Sequence, residues 1–256
     1  MSLHNKVVWS EGLFLQPHHL QQQDRYVERY VETRCESLVP YSWGFAEIEL
    51  EQDFLSIGKL GIRRAVGVFP DGTPFRVPED GPPPTPIDVG PEVHDEPVFL
   101  ALPLRRSESL DVDRDPEEGG LARLSVRGIE ARDVTSNSAD AALLEVGALR
   151  TRFLLGSDAT EAYACLPVAH IVECRADQHV LLDEGFIPTV LRARAASRLA
   201  AFTTELVGLL HHRGETLGGR VAATGRGSAA EISDFLMLQA INRYEPLLAH
   251  YADSPV

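Results

Sequence analysis

Along most of the chain, hydrophobic and polar positions alternate one by one over short stretches. In the last quarter they recur at three- and four-residue steps instead. The first segment outside this scheme is 17–33, a predicted helix. Pro17 suits its first turn, where a missing N–H costs nothing. Leu20, Val27, Tyr30 and Val31 share one face, and Gln21, Gln22, Gln23, Asp24 and Arg25 supply the polar remainder. Strands begin at Trp43. Ala46, Ile48 and Leu50 alternate with Glu47 and Glu49, as in a half-buried strand. Leu60, Ile62, Arg64, Val66 and Val68 alternate too. Pro70-Asp71-Gly72 is a turn signal, with Pro presetting φ and Gly tolerating a positive one, so Thr73–Val77 returns as the partner strand. Proline-rich 78–97 is predicted as an extended loop. Val98, Leu100, Leu102 and Leu104 resume the alternation, followed by Leu124 and Val126, Phe153 to Leu155, Tyr163 to Val172, and Val180 to Leu182. Many short strands separated by turns predict a mainly β domain, a sandwich or barrel.

Near residue 188 the period changes. Leu191, Ala195, Leu199, Phe202, Leu206 and Leu209 form one apolar stripe. Gly-rich 214–227 is predicted to join this helix to a second one. Ser228 and Glu231 have capping-box spacing, and Ile232, Phe235, Leu236, Leu238 and Ile241 follow. Pro246 is predicted to kink or restart this helix near Tyr244. The expected organisation is a β domain over 1–188, with an N-terminal arm and helix, and a helical hairpin over 189–256. Two striped helices alone bury little. They either pack on their own β domain or form part of a larger bundle that crosses chains, and the residues leave both open.

Composition narrows the function classes. The chain has 256 residues and formal net charge -14. Residues 1–188 carry 17 basic against 32 acidic side chains, and 189–256 carry 7 against 6. Such acidity repels phosphate backbones, so nucleic acid is not an expected ligand. It serves solubility first, or else faces a basic partner. Three cysteines, Cys35, Cys165 and Cys174, are no disulfide framework and suit a reduced, cytoplasmic setting. No N-terminal leader pattern appears. No apolar run approaches the ~18 residues that span a bilayer, so direct membrane insertion is not expected.

No catalytic constellation appears. Phosphate-loop, nucleophile-elbow and HExxH signatures are missing. His18-His19 and His211-His212 are adjacent pairs, and helical neighbours do not converge on a metal. Asp111, Asp113 and Asp115 open like a calcium loop. Pro116 then stands where glycine is needed and Ala122 where a bidentate carboxylate is needed, so Glu117 and Glu118 extend a solvated acidic loop. Cys165, His170 and Cys174 are too loosely spaced for zinc. The expectation is a protein without catalytic residues, metal or cofactor, and thus an interaction protein.

The run Trp9-Ser10-Glu11-Gly12-Leu13-Phe14-Leu15-Gln16-Pro17-His18-His19-Leu20-Gln21-Gln22-Gln23-Asp24-Arg25-Tyr26 resembles the opening of the TssK family of type VI secretion baseplate subunits. There the run reads Trp, one residue, Glu-Gly-Met-Phe-Leu, then Pro-Gln-His-Phe-Gln-Gln and Asp-Arg-Tyr. Leu13, His18 and Leu20 replace the family's Met, Gln and Phe. Pro40-Tyr41-Ser42-Trp43-Gly44-Phe45, Gly67 to Phe75, Phe99 to Pro103, Leu182 to Pro188 and Leu238 to His250 resemble further family blocks in the same order. Thr189 departs from a second Pro at the junction into the helices.

The resemblance implies a fold and a role. The fold is a β-sandwich shoulder similar to that of phage receptor-binding proteins, then a helical neck and a C-terminal head. The role is that of a homotrimeric adaptor. Its shoulder binds a wedge of TssF and TssG, and its head binds the cytoplasmic face of the TssJ–TssL–TssM membrane complex. Family members continue past the His250 region, so the head is expected to lie outside this sequence. On this reading Trp9, Glu11, Leu13, Phe14, Pro17, His18, Gln22, Arg25 and Tyr26 are the candidate wedge-binding residues. Leu191, Leu199, Phe202, Leu206, Leu209, Ile232, Phe235, Leu238 and Ile241 are the candidate bundle core. Apolar residues such as Val7, Val8 and Leu15 near the terminus either anchor an interface or pack on the chain's own sheet. A competing reading by fold analogy is a carbohydrate- or receptor-binding module, with Trp9 or Trp43 stacking on sugar.

Overall fold

The computed structural model of the chain describes residues 4–106, 110–114, 120–135, 141–158, 161–223 and 229–253. Helix α1 (Pro17–Leu38) precedes β1 (Gly44–Leu50), the short helix α2 (Gln52–Leu55), β2 (Lys59–Leu60), β3 (Ile62–Val68), β4 (Pro74–Val77), β5 (Ile87–Asp88) and β6 (His94–Pro103). Then come β7 (Val112–Asp113), β8 (Leu124–Arg132), β9 (Ala141–Leu149), β10 (Arg152–Leu155), β11 (Tyr163–Cys174) and β12 (Val180–Leu182). Helices α3 (Ser197–Ala223) and α4 (Ala229–Asp253) end the described chain.

Two antiparallel sheets, ordered β1-β3-β4 and β10-β6-β11-β12, contribute to one core. Phe45, Ala65, Phe69, Phe75 and Val77 come from the first sheet and its turn. Val98, Leu100, Leu102, Leu166 and Ile171 come from the second. The predicted alternation thus produces a β-rich domain with helices after it, and the described sheets do not close into a barrel. A further small sheet pairs β2 with β5, and another runs β7-β8-β9. The turn at Pro70-Asp71-Gly72 forms as its residues dictate. Gly72 takes φ +81°, its N–H donates to Phe69 O, and Thr73 N donates to Asp71 Oδ1.

Bulges shift the phase that the alternation predicts. Leu50 pairs with Ile62 and Glu49 with Arg64, so Arg63 is extra in β3. Ile62 points inward, but beyond the bulge Ala65 and Gly67 are the buried positions rather than Arg64 and Val66. In β11, Pro167 pairs with Phe99 and Ala169 with Val98. The extra residue, Val168, follows the proline, whose missing N–H a central ladder would otherwise need. The loop predicted over 78–97 contains β5 and the start of β6. Strand β9 had no alternation signal, since Ala-Ala-Leu-Leu reads as helix as readily as strand.

The helical part departs from the predicted bounds. Leu191 lies before α3, in a segment laid along β1. Phe45 N–H donates to Thr189 O at 2.9 Å, and Leu191 N–H donates to Phe45 O at 2.8 Å. A Cβ on Gly44 (φ +134°) would sit 2.8 Å from Thr189 O, so this close crossing needs glycine. The glycines predicted as a connection over 214–227 are helical through Ala223. Leu217 is fully buried, and Gly214 lets α4 approach until a Cβ there would lie 3.2 Å from Ile241 Cγ2. Packing outweighs glycine's low helix propensity of about 1 kcal/mol. Helix α4 continues through Pro246 without restarting. Ser228 and the Glu231 side chain, the predicted capping pair, lie outside the described residues, as do Asp115, Pro116, Glu117 and Glu118.

Candidate interaction surfaces

The first surface is the arm before α1 and α1 itself. Gln16 and His19 cap the helix reciprocally, with Gln16 N–H donating to His19 Nδ1 at 3.1 Å. That gives His19 a structural task, while His18 beside it is exposed. The arm folds back onto the helix. Gln22 Nε2 donates to Asn5 O at 2.7 Å, and the Trp9 ring lies 6.3 Å from that of His19. Arg25 donates from Nε and Nη2 to Gln22 Oε1, and Tyr26 stacks on Tyr30. The structure therefore brings Trp9, Gln22 and Arg25 to the first turns of α1. It leaves Glu11, Leu13, Pro17 and His18 exposed on the arm and helix start. Phe14 is 82% exposed. None of the described α1 side chains is buried, and Leu20, Val27, Tyr30, Val31 and Leu38 face solvent. The arm and α1 thus carry several exposed apolar side chains.

Two grooves run between α1 and the sheets. One, of about 500 Å³, is lined by Val27, Val31, Leu104, Leu124 and Leu149, with Arg25, Arg29 and Arg105 among the polar walls. At its floor the buried Arg123 donates to Asp71 Oδ2 and to Pro103 O, each at 2.6 Å, and to Thr73 Oγ1. Arg105 bonds Glu28 of α1 at 2.6 Å and Asp111 at 3.2 Å. The second groove, of about 370 Å³, is apolar, lined by Val31, Val39, Tyr41, Trp43, Val68, Phe69 and Pro70. Sequence reasoning did not single out Arg123. A lone Arg just before an alternating strand carries no local signal that it will be buried.

The second surface is the α3–α4 hairpin. Ile241 is buried and Leu199, Leu206 and Leu238 are half-buried, whereas Phe202, Leu209, Ile232 and Phe235 are each more than half exposed. The predicted bundle residues thus fall into two sets, one covered, with Ile241 packed against Gly214 across the hairpin, and one facing out. Across the hairpin His211 Nδ1 meets Glu245 Oε1 at 2.8 Å, with Glu215 at 3.7 Å from Nε2. The bond to Glu245, then the charges of Glu245 and Glu215, raise the His211 pKa.

Elsewhere the chemistry is quiet. Among the described residues no three His, Cys, Asp or Glu side chains gather as a metal site. The Cys165 thiol is pushed up by burial, Cys174 is buried and Cys35 is exposed. No described helix is long and apolar enough to cross a membrane.

Comparison with known proteins places the chain in a family. The family described as "Bacterial Type VI secretion, VC_A0110, EvfL, ImpJ, VasE" matches residues 19–256. The chain is 47% identical over 250 residues to the type VI secretion system baseplate component TssK1 of Pseudomonas aeruginosa, covering 98% of this chain and 56% of that protein. It is similar to a solved structure described as the crystal structure of TssK, with TM-score 0.89 and 35% identity over 98% of this chain and 57% of the other. A cryo-electron microscopy structure of a TssK–TssF–TssG baseplate subcomplex shares the fold, with TM-score 0.84 at 23% identity over 98% of this chain and 81% of the other. The chain spans little more than half the length of the TssK1 it matches. With most of its length matched by the family, the chain belongs to the TssK family of bacterial type VI secretion proteins.

Proposed function

We propose that the chain is the wedge-binding part of a homotrimeric baseplate adaptor in a type VI secretion apparatus, acting by binding rather than catalysis. The 47% identity to a baseplate component over 98% of the chain carries this reading. The exposed arm and α1 support it physically, because an apolar patch with aromatic anchors suits a protein partner. In this reading residues 1–188 are the shoulder, and Trp9, Leu13, Phe14 and Tyr26 contact TssF and TssG with Glu11, Pro17, His18, Gln22 and Arg25 around them. Residues 189–256 are the first part of the neck. The outward Phe202, Leu209, Ile232 and Phe235 meet neighbouring helices in the trimer, and Leu191 lies at the entry. A head in the longer protein docks on the TssJ–TssL–TssM complex, which holds the assembly at the cytoplasmic face of the inner membrane.

The test is co-expression of the tagged chain with TssF and TssG from the same source, followed by affinity capture and mass determination. Recovery of both partners with three copies of the chain supports the reading. A chain that emerges alone overturns the wedge assignment.

A further inference from the structure

Helix α1 meets the sheets through struts rather than through packing. No described α1 side chain is buried, and the groove of about 500 Å³ lies between the helix and Leu104, Leu124 and Leu149. Glu28 and Glu32 cross to the body. They are four residues apart and so share one helix face. The Glu32 carboxylate is held within the helix by Arg29 at 2.7 Å. Its stem rests on the turn after β3, where a Cβ on Gly72 would lie 2.9 Å from Glu32 Cγ. Glu28 makes the charged contact, its Oε2 accepting from Arg105 Nη1 at 2.6 Å. Arg105 lies just past the end of β6 and is braced from behind. Its Nε meets Asp111 Oδ2 at 3.2 Å. The Asp111 carbonyl accepts from the N–H groups of Arg123 and Leu124 at 3.0 and 2.9 Å, and the buried Arg123 is locked onto Asp71 and Pro103. Burial opposes the charge on Arg105, but the bond to Glu28 and the charges of Glu28, Asp111 and Asp71 outweigh it and raise its pKa. A polar strut thus runs from the core through Arg123, Asp111 and Arg105 to the helix.

The strut stands near the middle of the helix. At one end α1 runs through residues 39–43 into β1, and at the other the arm folds onto its first turns. At about 1.5 Å per residue, Glu28 lies about 15 Å from Leu38 and about 16 Å from Pro17. A shift at Glu28 is therefore about doubled where the arm sits, and a misplacement of about 1 Å is enough to loosen a fitted site. We propose that Arg105 is the positioning residue of α1, acting through Glu28 to set the pose in which the arm and α1 meet their protein partner. The inference rests on the wedge reading above.

The test uses the 256-residue chain with Arg105→Gln, Glu28→Gln, both together, and Arg105→Lys, and with Phe14→Ser as the reference for the arm. Amide hydrogen exchange of α1, β6 and β11 is measured without partners, and capture of TssF and TssG is measured beside it. Exchange of α1 is expected to rise about fivefold in each single Gln variant, as loss of one partly exposed ion pair allows, with β6 and β11 unchanged. Capture should weaken by a similar factor in both and no further in the double variant, because the two residues act as one unit. Arg105→Lys should recover part of the loss. Glu28→Gln changes an exposed helix residue, so it reads the strut even where Arg105→Gln disturbs the body. Exchange of α1 that neither Gln variant raises overturns the positioning role. Additive losses of capture in the double variant overturn it too, since Arg105 would then act apart from Glu28. A looser α1 with capture intact, while Phe14→Ser weakens capture, overturns the link between pose and binding and leaves the wedge reading standing. Capture that neither Arg105→Gln nor Phe14→Ser weakens overturns the wedge reading of the arm and α1, and this inference with it.

Discussion

Arg123 ties three separate pieces of chain together through one guanidinium: the turn at Asp71 and Thr73, the end of β6 at Pro103, and the bend that leads into β8. Its burial makes the contacts cooperative, since losing the cation strands a carboxylate and a carbonyl in a dry place. Arg123→Met is expected to destabilise the chain by about 3 kcal/mol, the cost of breaking a buried pair from one side, read as a shifted urea midpoint. Arg123→Lys should recover only part, because a point charge cannot span the fork's acceptors. His211 makes a smaller and pH-dependent contribution. Its folded pKa is raised above the ordinary histidine value of about 6.5. Its pairing with Glu245 therefore stabilises fully below that value and fades as pH rises through the folded pKa. The melting-temperature gap between the parent and His211→Gln should shrink from pH 6 to pH 8. Neither residue was legible in this role. His211 was weighed only as half of an adjacent pair, because its partner Glu245 lies on another helix.

At the scale of elements, α1, both long helices and most strands were legible, because each carries its own period. What escaped depended on neighbours. Bulges at Arg63 and Val168 turn strand faces over, and no window of sequence shows which residue a partner strand will skip. The glycines after His212 read as a connection, and helix packing overrode them. Gly214→Leu is expected to cost about 1–3 kcal/mol by forcing α3 off Ile241, measurable by thermal denaturation. The arm behaves differently. Phe14 touches little of its own chain, so Phe14→Ser should leave the melting temperature within about 1 °C, as surface changes do. The same variant should weaken capture of TssF and TssG at least tenfold if the arm is an anchor of that interface. The arm's residues were legible as candidates through resemblance, and their exposure came only with the structure.

At the scale of the whole molecule, two sheets share one core, and a helical hairpin leaves it through a segment hydrogen-bonded to β1. The change of period near residue 188 gave the hairpin's place but not this attachment. Thr189, which departs from the family's second Pro, offers the backbone carbonyl that Phe45 bonds. Gly44→Ala is expected to strain that crossing through both its positive φ and the Thr189 carbonyl. If sheets and helices melt together in the parent, calorimetry of the variant should show the single transition splitting in two. The attachment also governs how the molecule bears load. Residues 189–191 run parallel to β1 as an added rung, not as a tether. Tension along that segment falls on the Phe45–Thr189 and Phe45–Leu191 bonds together, as shear.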